Sequence, residues 1–175
     1  MLMKMLKYGL IGIVLLIAIV AVVGLFMPSE WKVEREVTIQ ADIATVHAVI
    51  NDLKTHPEWM TWKDEDPDMK IEYGEVSVGE GATSSWGGGK SSGTLTVTKS
   101  DPAKGMWYTM DIEGMTAEGS FTYEKVDGGT KVKWTDYAEV NYMGRYFVPM
   151  IEGMLGEHFE NSLNNLKTHI TDKAN

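Results

Sequence analysis

Three hydrophobic rhythms follow one another along the chain. The first is unbroken: from Tyr8 to Ser29 no charged residue occurs, and Gly9–Met27 reads GLIGIVLLIAIVAVVGLFM. At about 1.5 Å of rise per residue, such a run reaches the roughly 30 Å of a bilayer core as a helix. Residues 1–30 are therefore predicted to form a transmembrane anchor. A cleaved signal peptide is the competing reading. Its apolar core is usually shorter, about 7–15 residues, and Val22-Val23-Gly24 is a poor small-x-small cleavage site.

Beyond Pro28 the period becomes two. Trp31, Val33, Arg35, Val37 and Ile39 share one face, and Lys32, Glu34, Glu36, Thr38 and Gln40 the other. That alternation predicts a strand with one buried face. Asp42 is placed to cap a short helix reaching about Asp52, with Ile43, Val46, Val49 and Ile50 at helical spacing. His56-Pro57-Glu58-Trp59 predicts a second short turn or helix. Six further strands are expected over 70–73, 82–86, 93–99, 106–112, 116–126 and 131–140, separated by Gly-Gly, Asp-Pro and Asp-Gly turn signals. The third rhythm is helical. From Tyr146 or Pro149 to Asp172, the residues Leu155, Phe159, Leu163, Leu166 and Ile170 make one apolar stripe.

The order is thus strand, two short helices, six strands, one long helix. The sheet's apolar face needs a cover, and the last helix is the only large amphipathic element available. An α+β fold follows: a curved seven-stranded antiparallel sheet wrapped around a long C-terminal helix, preceded by one transmembrane helix.

Three stretches carry a family resemblance: VTIQADIATVHAVINDLKTHPEWMTW, GGTKVKWT and MLGEHFENSLNNLKTHI. In this order, across residues 31–170, they resemble the START-like (SRPBCC) superfamily, whose helix-grip fold includes polyketide cyclases and lipid-transfer domains. The resemblance implies that residues 31–175 form one helix-grip domain with an apolar cavity between sheet and long helix. It does not choose among binder, carrier and enzyme.

Charge narrows the partners. The net charge is −9, and Lys4, Lys7 and Glu30 give residues 1–30 a net of +1, leaving −10 for the remainder. So acidic a domain repels phosphate backbones, which argues against nucleic acid as a partner. Lys4, Lys7 and the amino terminus precede the apolar run, and the charges just after it cancel. The positive-inside bias then sends the domain across the membrane, to the periplasmic side in a bacterial cell. There is no cysteine, so disulfides, a lipid-modified cysteine and a thiol nucleophile are excluded.

Gly89-Lys90-Ser91 ends like a nucleotide-binding loop. The glycine required five residues earlier is Ser84, and a strand pattern follows where a helix is needed, so a hairpin tip is expected and no nucleotide. Asp64, Asp66, Asp68, Ile71 and Glu75 fall on calcium-loop positions, but Met69 stands where the loop needs glycine. The four histidines are dispersed without metal-ligand spacing. No metal or cofactor is expected.

The remaining candidates are inward-looking. Arg35 and Asp136 lie on the apolar faces of the first and last strands, neighbours in the helix-grip fold. An antiparallel register could set them opposite each other, as a structural ion pair, a polar ligand anchor or a catalytic pair. Trp86, Tyr108, Met110, Phe121, Tyr123 and Trp134 occupy inward strand positions, and Phe147, Met150 and Met154 lead into the last helix. Such spacing suits a packed core. The resemblance implies that those near a cavity mouth line it, with Trp59 and Trp62 closing it. The leading expectation is a membrane-tethered domain binding a hydrophobic small molecule or lipid. A cyclase- or dehydratase-like enzyme and an envelope interaction module with a filled core are the alternatives.

Overall fold

A computed structural model describes residues 2–62 and 66–173. Helix α1 spans Leu2–Phe26, and its Leu6–Phe26 portion is long and apolar enough to cross a membrane. After three intervening residues β1 begins (Glu30–Ile39), and the Val140 N–H closes the junction by donating to the Ser29 carbonyl at 2.9 Å. Helix α2 (Ile43–Ile50) is capped as expected, the Asp42 carboxylate accepting from the Thr45 N–H at 2.7 Å. A 3-10 turn over Leu53–Glu58 follows.

The strands are β2 (Lys70–Tyr73), β3 (Thr83–Gly87), β4 (Gly93–Asp101), β5 (Gly105–Ile112), β6 (Met115–Val126) and β7 (Gly129–Glu139), within two residues of the expected boundaries. They form one antiparallel sheet in the order β1-β7-β6-β5-β4-β3-β2. Hairpins bring consecutive strands together, and β1 closes on β7 across the chain. A 3-10 turn (Gly144–Phe147) leads into the long helix α3 (Val148–Lys173).

Alternation does the packing. Phe121, Val132, Trp134, Val33 and Val97 on the inner face meet Phe159, Leu163, Leu166 and Ile170 of α3, with Val46, Ile50, Leu53 and Trp59 closing the side. The Trp134 ring stacks on Phe159 with centroids 3.8 Å apart and planes within 3°, and lies 4.8 Å from Phe121 and 6.4 Å from Trp59. Aromatic pairs of this kind add about 0.5–1.5 kcal/mol each beyond area burial. This half of the space between sheet and helix is filled.

Two details depart from regularity. The β6–β7 ladder stops at Glu118↔Tyr137, although β6 begins at Met115 and β7 continues to Glu139. The strands splay there and leave a groove of about 540 Å³ between Met115–Glu118 and Tyr137–Gly144. The glycine-rich loop between β3 and β4 holds an anion of the chain's own. The Lys90 N–H donates to Asp66 Oδ2 at 2.6 Å, and a Cβ on Gly89 would strike that carboxylate. A strand follows the loop, as the hairpin reading expected, and Asp66 is occupied there. Asp64, also part of the calcium pattern, lies outside the described residues.

Candidate functional site

The register lays one row of residues across four strands: Tyr108 on β5, Gly119 on β6, Asp136 on β7 and Val33 on β1. Gly119 is the reason the row matters. A Cβ there would meet both the Tyr108 ring and Asp136 Oδ1. Without one, Tyr108 reaches over β6 and donates to Asp136 Oδ1 at 2.5 Å. Trp134 Nε1 donates to the Tyr108 oxygen at 2.6 Å and lies 3.2 Å from Asp136 Oδ1. Asp136 is only 3% exposed. Burial pushes its carboxyl up to about 7, against the opposing pull of the two hydrogen bonds, and pushes the Tyr108 hydroxyl well above its usual range. A carboxyl in this state exchanges a proton near neutral pH.

The expected Arg35–Asp136 opposition is corrected. Arg35 pairs in register with Trp134, and Asp136 with Val33, two residues away. Arg35 donates from Nη1 to the Glu34 carbonyl at 2.8 Å and lies against Gly156 of α3, where a Cβ would meet its guanidinium. The carboxylate thus finds its donors along β5 and β7, not on β1.

The other candidates disperse. Trp59 is in the filled aromatic core, and Trp62, half-buried, stacks on His158 at 3.6 Å. Met110 is half-buried opposite Ala117. Trp86 folds over Gly93 on the far strands. The Tyr123 hydroxyl bonds His47 Nδ1 at 3.2 Å, away from Asp136. Phe147, Met150 and Met154 are exposed on the outside of the last turn and helix. Hydrogen bonds bring together only Tyr108, Trp134 and Asp136.

Ala138 follows Asp136 on the same face of β7, with Val140 just beyond the strand's end, and Ala117 and Met115 precede Gly119 on β6. The buried pair therefore lies one row in from the groove between the splayed strands. Met115, Val140, Gly119 and Gly156 were not among the expected site residues. The two glycines carried a signal, because a glycine at an inward strand or helix position marks a close approach. A second groove, about 650 Å³, sits between Gln40–Ile43 and the β6–β7 hairpin. Among the described residues no group of three His, Asp or Glu could hold a metal.

A curved antiparallel sheet gripping one long helix, with a buried polar pair beside a gap in the sheet, defines a helix-grip domain. The chain belongs to the polyketide cyclase/dehydrase and lipid transport family, whose profile matches residues 30–171. No curated protein matches it in sequence. Among solved structures it is similar to a Thermobifida fusca protein (18% identity, TM-score 0.62, 79% of this chain and 92% of that one). It is also similar to KanY (17%, 0.60, 82% and 99%) and to Ara h 8.0201 (17%, 0.59, 82% and 99%). At these identities the likeness is one of fold.

Proposed function

We propose that the chain is a membrane-tethered domain that holds a hydrophobic small molecule or lipid. Residues 1–30 are the anchor, and residues 31–175 are the binding domain on the extracytoplasmic side. The observation that carries this reading is the groove of about 540 Å³ where β6 and β7 part, one row from the Tyr108–Asp136 pair. Its volume falls in the roughly 300–1,000 Å³ range of ligand pockets. Met115, Ala138 and Val140 supply apolar wall. Ligand surface buried there gains about 25 cal/mol per Å². Asp136 and Tyr108, one row in from the groove, supply polar groups for a head group. The packed aromatic half leaves the splayed end as the place for the ligand.

Native mass spectrometry of the full chain, purified in detergent and offered a lipid extract, tests the reading. Retention of a defined lipid or amphiphile is expected. An apo mass under every condition that preserves the fold overturns it.

The Asp136 carboxyl near 7, bonded to a tyrosine, favours a second reading: general acid–base chemistry of the cyclase or dehydratase type on the same ligand. Under it, Asp136→Asn abolishes turnover while leaving ligand retention intact. Equal turnover by the variant removes that reading.

A further inference from the structure

Helix α1 does not leave the domain as a free tether. The Tyr146 hydroxyl donates to the Val20 carbonyl, Tyr142 to that of Ala21, and Arg145 Nη1 to that of Gly24 at 3.4 Å. Gly24 alone is buried among residues 6–26, and a Cβ there would run into both tyrosine hydroxyls. Val20 lies six residues before Phe26, the end of α1, a rise of about 9 Å. Residues 142–146 thus reach down along the last two turns of the helix that the proposed function places in a bilayer. With only Met27–Ser29 between α1 and β1, about 3.5 Å of reach per residue, the domain cannot lift away.

Beside this contact lie four large apolar side chains in the open: Met143 (67% exposed), Phe147 (59%), Met150 (65%) and Met154 (69%). Core packing does not explain them, because Val148, Ile151 and Leu155 supply the inward contacts of the same turns. At 3.6 residues per turn, Phe147, Met150 and Met154 share one flank. Further along that flank stand Glu157, Asn161, Asn165 and Thr168, all exposed. The apolar character is confined to the turns nearest α1. Arg145 is the only cation in residues 141–154, so apolar insertion and not attraction to anionic headgroups is the means of contact.

We propose that Met143–Met154 is a second membrane contact. Met143, Phe147, Met150 and Met154 insert into the bilayer beside α1, next to Tyr142 and Tyr146, whose hydroxyls are held on carbonyls of its last two turns. This rests on the reading of α1 as a membrane anchor. Asn141 and Gly144 also line the groove between β6 and β7, so the contact brings that groove to the bilayer surface. A lipid then passes between them without crossing bulk water.

The absence of cysteine makes the test clean. Single cysteines replace Ile17, Phe147, Met150, Met154, Asn161 and Asn165 in turn. Each carries an environment-sensitive fluorophore, in the full chain reconstituted into phosphatidylcholine–phosphatidylglycerol vesicles with or without doxyl-labelled lipid. Lipid-borne quenching and a blue shift are expected at Ile17, Phe147, Met150 and Met154, and neither at Asn161 and Asn165. Quenching at Ile17 with the other three behaving like Asn161 overturns the second contact and leaves the anchor standing. No quenching at Ile17 overturns both. Equal quenching at Asn161 overturns the confinement to the first turns, and with it the contact as stated.

Discussion

Asp136 shows what one residue does to the whole balance. Its carboxyl titrates near 7 when folded, against roughly 4 in an unfolded chain. Between those values the unfolded state has released the proton and the folded state keeps it. Its contribution to stability therefore falls as pH rises from about 4 to about 7 and is level above, an effect of order 4 kcal/mol. His56 works oppositely. Buried and bonded to the Ile50 carbonyl at 2.8 Å, it is lowered to about 4, so its contribution is lost as pH falls from about 6.5 toward 4. The two slopes overlap in the wild type. In a series of thermal melts, Asp136→Asn is expected to gain stability at pH 7.5 relative to pH 4.5 when each is compared with wild type. Parallel curves would refute this. Gly119→Ala forces a methyl into the Tyr108 ring and Asp136 and is expected to cost about 1–3 kcal/mol. Gly156→Ala, whose methyl meets only the movable end of Arg35, is expected to cost less, and denaturant melts rank the pair. Tyr108 and Asp136 were legible as inward polar residues from alternation alone. Their partnership was not, because it depends on a two-residue offset in register and on the gap left by Gly119.

At the scale of elements, alternation and helical spacing placed every strand and the long helix, because one buried face repeats along each. Phe159 belongs to that stripe. Phe159→Ala, which removes the ring stacked on Trp134, is expected to cost about 3–5 kcal/mol. Met154→Ser is expected to stay within about 0.5 kcal/mol for the detergent-solubilised chain, and equal losses would contradict the packing described. Met150 and Met154 were expected at a cavity mouth, yet they are exposed. Stepping back along the stripe from Leu155 gives Ile151 and Val148, the residues that do face inward. Apolar identity alone misled, since an exposed apolar residue and one facing a core look alike in a sequence. The splaying of β6 from β7 left no such trace: Met115–Ala117 and Ala138–Val140 alternate as well as the paired parts do.

The whole molecule joins an apolar helix, a sheet open at the end nearest that helix, and a buried acid–phenol pair just inside the opening. The filled aromatic half stabilises the grip of sheet on helix, and the splayed end is where the proposed function puts a ligand. The central claim is that a hydrophobic ligand occupies this groove. Photo-crosslinking tests it most directly, using a diazirine-bearing fatty acid on the full chain in vesicles, with peptides mapped by mass spectrometry. Labelling of α1 is the internal reference for membrane exposure. Labelling at Met115, Val140 or Asn141 as well, competed away by unmodified lipid, is the result expected. Labelling restricted to α1 and the Met143–Met154 segment would contradict it.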